Sequence, residues 1–510
     1  MNRRRFLQLS VLGTASLFSR RLLASERRPN VLFIAVDDMN DWISSLGGYS
    51  GKVHTPNFDR LGRMGVTFTN AHSPSTVCNP SRTAIMTGLR PSTTGIYNNG
   101  QWWRPALPDA VTIPECFRKN GYRVEGGGKI FHHTLGNNPP GLWDNYHPQI
   151  QDSPWHYDYP VPGQHVSKRG VHWPEGFPLN GIENVRLGKR PPLNYREFDW
   201  GPYDKSEFEM GDGRMVRWAM DFLERPHKKP FFLAAGIYRP HLPWYVPKKY
   251  FDLYPLDQIE LPKVKEDDLD DVPAAGRKMA GARHADFQLV TKEGKYAEAV
   301  RAYLASISYA DALVGHLLDA LEKSSHKDST IIVVWSDHGW HLGEKGAWHK
   351  MTLWQRATHV PFFIVVPKIT RGGSVCSRPV NLIDIYPTLI DLCGLKSNKK
   401  LDGTSLATLL RNPKAAWERP SVITLERGNH AVRSERWRYI RYNDGTEELY
   451  DCKSDPHEWK NLAGEPEFDS IKRDLAKWLP ESDASPAPSK IAYHFDPDSY
   501  SWSRKEKSSK

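Results

Sequence analysis

The sequence predicts an α/β fold, with a mainly parallel central sheet covered by helices on both faces and a smaller α+β domain towards the C-terminus. Three observations predict it. Short, continuous apolar runs rich in β-branched residues recur through most of the chain, and runs that do not alternate mark strands buried on both faces. Helical patterns sit between these runs, the order expected of strand–helix alternation. From about Arg419 the texture changes to short antiparallel strand patterns around a turn at Asn443, Asp444 and Gly445.

Residues 1–24 come first. Arg3, Arg4 and Arg5 precede Phe6, Leu7 and a mostly apolar stretch, and Leu22, Leu23 and Ala24 offer a small residue for cleavage. Paired arginines followed by Phe-Leu predict a twin-arginine export signal; an ordinary secretory leader is the alternative. Either predicts a periplasmic or extracellular protein. The apolar run is too short to span a bilayer, so no membrane span is expected.

The strand candidates follow. Residues 31–36 end in Asp37 and Asp38. Residues 122–124 run into Gly126, Gly127 and Gly128 ahead of Lys129 and His132. Residues 231–237 lead to Arg239 and His241. Residues 331–335 end in Ser336, Asp337 and His338, and residues 361–366 stop at Pro367. Ligands of such sheets bind at the carboxyl ends of the strands, so Asp37, Asp38, His241, Asp337 and His338 are expected to converge. Apolar residues at helical spacing predict a helix over 296–323, and a second over 385–393 stops at Gly394. Residues 139–203 hold nine Trp or Tyr and eleven Pro with little periodicity, and read as a long excursion over the active face or a structural wrapping loop. The expected division is a catalytic domain over 25–415 and a C-terminal subdomain over 416–510. Its polar tail from Ser482 is read as only partly ordered.

Composition sets the outer limits. Of 510 residues, 39 % are hydrophobic and 25 % charged, enough for a large core and too little charge for a disordered chain. Mean hydropathy is −0.59, which excludes a polytopic membrane protein. Five cysteines exclude a disulfide scaffold. The net charge is +10, but Arg3, Arg4, Arg5, Arg20 and Arg21 account for half of it. The remainder suits an anionic substrate. No basic stripe or reader motif points to nucleic acid.

The chemistry centres on Cys78-Asn79-Pro80-Ser81-Arg82, followed by Thr87-Gly88-Leu89-Arg90-Pro91. Asn79 reads as an N-cap, Pro80 as the first helical residue and Gly88 as the stop. Cys78 then lies at a helix N-terminus, which favours negative charge, and Arg82 adds a fork for an oxyanion. A low-pKa thiolate nucleophile and an inert buried cysteine are both compatible with that position. Carboxylates gathered in one crevice repel unless a cation sits between them, and hard oxygen donors suit Ca²⁺ or Mg²⁺. His338, His341 and His349 match no common zinc spacing.

The string from Cys78 to Pro91 resembles the signature of the type I sulfatases, Cys-x-Pro-x-Arg with a downstream Thr-Gly-x-Arg-Pro, and the resemblance runs from Arg28 to about Ala463. It implies an alkaline-phosphatase-like fold. It implies that Cys78 is oxidised by a formylglycine-generating maturase to an aldehyde that is hydrated in the site. It further implies a divalent ion, usually calcium with magnesium possible, held by Asp37, Asp38, residue 78, Asp337 and His338. Arg82, Lys129 and Lys350 would neutralise sulfate charge, His132 would help deprotonate the hydrate, and His241 would protonate the leaving oxygen. Residues 90–97, 128–132, 239–241, 336–344 and 357–361 are most similar to those of iduronate-2-sulfatases, implying a 2-O-sulfated uronic acid in a saccharide as substrate. Choline sulfatases share several of these segments. A phosphodiesterase or phosphonate monoester hydrolase of the same superfamily, and a non-catalytic polyanion-binding protein, are the other readings.

Overall fold

The structure is a computed structural model that describes residues 28–147, 175–183, 198–397 and 400–506. The leader expected over 1–24 and much of the 139–203 excursion lie outside the described residues.

The apolar runs form one eight-stranded sheet. Its strands are β1 (Asn30–Val36), β2 (Val66–Phe68), β3 (Arg123–Gly128), β4 (Asn145–His147), β5 (Phe231–Ile237), β6 (Thr330–Ser336), β7 (Phe362–Val365) and β8 (Ser374–Cys376). Their order is β8-β2-β7-β6-β1-β5-β3-β4. Only β7 runs against its neighbours, β2 and β6; the other pairings are parallel.

Alternate residues of β1 feed two cores. Leu32, Ile34 and Val36 face one that contains α1 (Pro56–Met64), α4 (Gly211–Leu223) and α6 (Tyr296–Lys323). Val31, Phe33 and Ala35 face the other, with α2 (Cys78–Thr87), α3 (Ile113–Lys119) and α7 (Ile385–Cys393). Each fully buried Leu, Val or Phe contributes about 1.5–3 kcal/mol, so both faces of these strands must be apolar. The helix expected over 296–323 is α6, and its Asp311 accepts the N–H groups of Asn57 and Phe58 at the start of α1. The helix expected over 385–393 is α7, stopped by Gly394 in the left-handed region at φ 58°.

Parallel register sets the active edge. Val36 lies opposite both Ile237 and Ser336, and Gly128 lies opposite Gly236. The residues that follow these four strands therefore emerge at one level.

The glycines 126–128, into which residues 122–124 run, are the second half of β3. Trp143 and Tyr146 press on Gly126, and the Gly236 carbonyl lies where a Gly128 side chain would be, so the strand continues because it carries no side chains there. The tail from Ser482 is better ordered than its composition implies. Its backbone donates from Ala484 to Ser92, from Ala487 to Gly95 and from Lys490 to Gly100. Beyond it, the hairpin Tyr493–Asp496 with Ser501–Arg504 packs Phe495 and Trp502 on Trp102. The C-terminal sheet is antiparallel as expected, with strands Ser421–Thr424, His430–Arg433, Trp437–Arg441 and Glu447–Asp451.

Gly236 marks where two strand ends approach most closely. A methyl group there would lie 2.4 Å from the backbone carbonyl of Lys129. Gly236→Ala is expected to lower stability by about 1–3 kcal/mol, the usual cost of overpacking, with a matching fall in the urea midpoint.

Candidate active site

Four strand ends and one helix start build the site. Asp37 and Asp38 follow β1, Lys129 follows β3, Tyr238 to His241 follow β5, and Asp337 and His338 follow β6. The turn after β1 places Asp38 in the left-handed region at φ 60°, a conformation that a residue without a β-branch tolerates when its surroundings hold it there. Its N–H donates to Asp337 Oδ1 at 3.1 Å.

Helix α2 starts at Cys78, after the extended Val77. This corrects the expected start: Asn79 is not the cap. Its side chain donates to the carbonyls of Asn98 and Gln101 at 3.0 and 2.9 Å and so fastens the 98–101 loop to the helix. The stop at Gly88 holds, at φ 70°.

Arg82 is completely buried and locks the carboxylates together. Nη2 donates to Asp37 at 2.8 Å, Nε donates to Asp337 at 2.9 Å, and Nη1 donates to the carbonyls of Lys129 and Ile130. Lys129 also donates to Asp37. Burial opposes ionisation of Asp37, but Lys129 and Arg82 outweigh it and hold this carboxyl well below the usual range. Burial raises Asp38 to about 7; Lys350 opposes the shift, and Asp37 and Cys78 add to it.

Around the sulfur, His338 Nε2 lies 3.2 Å from Sγ, Lys350 Nζ 3.3 Å and Lys129 Nζ 3.9 Å. Lys350 also donates to Asp38 at 2.5 Å. Burial pushes the Cys78 thiol up despite both lysines, with Asp37 and Asp337 adding to the shift. That weighs against a resting thiolate. The Nδ1–H groups of His338 and His241 must point at the Gly339 and Leu242 carbonyls, 3.2 and 2.6 Å away, since a carbonyl only accepts. This turns Nε2 of His338 to the sulfur and Nε2 of His241 towards Asp38, 3.7 Å away. Burial holds both imidazoles low.

Three carboxylates anchor the cluster. Ligand atoms from Asp38, Cys78, Asp337 and His338 all lie within 4.8 Å of one another, and Asp37 and Asp38 group likewise with His241. Asp38 Oδ2 is buried and has no hydrogen-bond partner. A buried orphan carboxylate oxygen, pushed towards neutrality, is what a hard divalent cation would satisfy. The residues therefore fit Ca²⁺ or Mg²⁺. They do not build the zinc alternative, because His341 bonds Thr352 and His349 bonds Asp286.

His132 is on the same edge but makes no hydrogen bond to Cys78. Its ring lies 4.4 Å from that of His133, and its buried Nδ1 has no hydrogen-bond partner. Neither residue type nor spacing singles out His133, whose ring is 6.3 Å from those of Tyr238 and His241. Asp212 was equally silent: it accepts the N–H groups of Tyr238 and Arg239 at 2.8 and 3.0 Å and sets the turn that carries His241. Lys490 reaches this rim from the tail, donating to Thr134 Oγ1 beside the two histidines.

A sequence model described as Sulfatase matches residues 29–395, and one described as the C-terminal part of N-sulphoglucosamine sulphohydrolase matches 343–485. The chain is 41% identical to a sulfatase of Formosa agariphila over 465 residues, 90% of this chain and 87% of that one. It is 33% identical to human iduronate 2-sulfatase over 414 residues, 72% and 69% of the two chains. Among solved structures it is similar to the phosphonate monoester hydrolase of Agrobacterium radiobacter, with a TM-score of 0.67 and 19% identity over 94% of this chain and 100% of that one.

Removing Arg82 would strand two buried carboxylates. Arg82→Leu is expected to destabilise the protein by about 3–5 kcal/mol, the cost of breaking a buried pair, as read by denaturant unfolding. The doubly neutralised Arg82→Leu, Asp337→Asn chain should recover part of that loss.

Proposed function

The chain belongs to the sulfatase family and has its alkaline-phosphatase-like fold; from that premise we propose that it removes the 2-O-sulfate of a uronic acid in a saccharide, through a formylglycine formed from Cys78 and a bound divalent cation. The observation that carries this is the convergence of Lys129, His338 and Lys350 on Cys78 Sγ, at a helix start and beside Asp37, Asp38 and Asp337.

Held by Asp37, Asp38, Asp337, His338 and residue 78, Ca²⁺ or Mg²⁺ would supply positive charge to a sulfate oxygen and to the nucleophile. Oxidised to formylglycine, residue 78 would supply a hydrate with one hydroxyl to attack sulfur and a second to release the sulfate. The chain's own residues do the rest. Arg82 fixes the directions of Asp37 and Asp337. Lys129 and Lys350 carry fixed charge to the sulfate oxygens, so neutralisation is preorganised. His241 would be the proton carrier for the leaving oxygen: its Nε2 must first take up a proton, Nδ1–H staying on the Leu242 carbonyl, and then give it up. His132 is the candidate base for the hydrate, reaching it by a water or a small ring movement.

Similarity to iduronate 2-sulfatase supports a uronate, and Lys490 supports it independently. This half-buried ammonium pairs with no carboxylate among the described residues, and burial alone lowers it to about 8. Burial holds His132 and His133 low, Lys129 adds to the shift, and Lys490 contributes a smaller part. An anionic group next to the sulfate, such as a uronate carboxylate, would pair with Lys490.

The maturing enzyme and the twin-arginine route belong to the same proposal. Among the described residues, no helix is long and apolar enough to cross a membrane.

The test is turnover of a panel of 2-O-sulfated uronate disaccharides, 6-O-sulfated hexosamines, choline sulfate and a phosphonate monoester, read as sulfate released from the sulfate esters and as alcohol released from the phosphonate. The proposal expects the 2-O-sulfated uronates to lead; faster turnover of choline sulfate or of the phosphonate overturns it. In active protein the peptide bearing residue 78 should be about 18 Da lighter than its sequence mass, and Cys78→Ala should abolish turnover with the fold intact. Lys490→Met is expected to raise KM for the uronate about 10- to 100-fold, the scale of one hydrogen bond to a charged group. Turnover of an aryl sulfate that carries no carboxylate should stay within about twofold.

A further inference from the structure

Lys350 ends a hairpin whose backbone is unusually costly. Residues His341–Leu342 pair with Trp348–His349. Between Gly343 and Met351, five residues have positive φ, and three are not glycine: Lys345 at 57°, His349 at 74° and Met351 at 74°. His349 and Met351 flank Lys350 directly. Non-glycine residues persist in this region only where surrounding contacts hold them.

Those contacts come from α5 (Ala274–Lys292) and the start of α6. His284 Nδ1–H donates to the Gly346 carbonyl at 2.8 Å, Phe287 stacks on Trp348, and the Tyr296 hydroxyl donates to the Leu342 carbonyl at 2.5 Å. Lys345 reaches the buried Asp268 at 2.7 Å. His349 donates from Nε2 to the fully buried Asp286 at 2.8 Å. Each of these two strained side chains is thus tied to a buried carboxylate, and the second tie lies one residue before the ammonium that meets Asp38 and Cys78.

We infer that Asp286 is a positioning residue for Lys350: by accepting the His349 Nε2–H it holds the left-handed turn that aims the Lys350 ammonium at Asp38 and residue 78. The inference rests on the role given to Lys350 above. It assigns a buried carboxylate of α5, which acts through His349, to the efficiency of the sulfate ester reaction.

A double-mutant cycle on the full, matured chain tests it, with kcat and KM measured on one sulfate ester. Asp286→Leu is expected to lower kcat about 10- to 100-fold, the usual effect of a displaced catalytic group, with KM within about threefold. In a Lys350→Ala background the same substitution should cost less than about threefold, because a residue acting through Lys350 has nothing left to position. An equal loss in both backgrounds overturns the inference, since a merely structural role would act whether or not Lys350 is present. Wild-type turnover by Lys350→Ala overturns the reading on which it rests. Asp286→Leu can fail to fold, so His349 gives a second route. His349→Gln keeps an N–H donor at the reach of Nε2 and carries no β-branch, and should retain kcat within about threefold. His349→Val has neither property and should lose as much as Asp286→Leu. Equal kcat values for the two His349 variants overturn the inference.

Discussion

Arg82 spans the gap between two carboxylates that could not otherwise share a dry crevice. Its guanidinium binds Asp37 at the end of β1 and Asp337 at the end of β6, and it reaches the backbone at Lys129 and Ile130 just past β3. One side chain of α2 thereby ties the helix that carries Cys78 to three strand ends. Strand register brings those ends level, and the fork geometry of the guanidinium fixes their directions. Without that lock the carboxylates would repel, and neither the sulfur nor the lysines around it would have a defined place.

The buried charges also explain why the site suits an anion. Asp37, Asp38 and Asp337 are balanced by Arg82, Lys129 and Lys350. A dication added to this neutral set leaves two positive charges, enough for a sulfate monoester anion and an ionised nucleophile. The same balance leaves little to favour a thiolate, and burial pushes the Cys78 thiol up. The similarity to a phosphonate monoester hydrolase is one of fold. In the proposed reading, what tells one ester from another lies at the rim, where the tail delivers Lys490.

Much of this was legible in the sequence, for physical reasons that can be stated. Strands buried on both faces write continuous apolar runs, so β1, β5, β6 and β7, and the acids after β1 and β6, could be read directly. Gly394 had to terminate α7, because the chain there needs positive φ. The rest depended on partners far along the chain. That the glycines belong to β3 shows only once Trp143 and Tyr146 are seen pressing on them. Asn79 has the chemistry of a cap, and only the 98–101 carbonyls show that it does something else. The tail has no periodicity because it forms no core; its order comes from backbone bonds to 92–100, which leave no pattern in side-chain type. His133, Asp212 and Asp286 were invisible for the same reason: each acts on a neighbour that only the fold supplies.

The central claim is that this crevice is completed by a divalent cation, and elemental analysis of the active protein tests it most directly. The account predicts about one equivalent of Ca²⁺ or Mg²⁺ per chain, lost together with sulfate release on chelation and sharply reduced in Asp38→Asn. Full sulfate release from protein holding less than about a tenth of an equivalent of any divalent metal would contradict it.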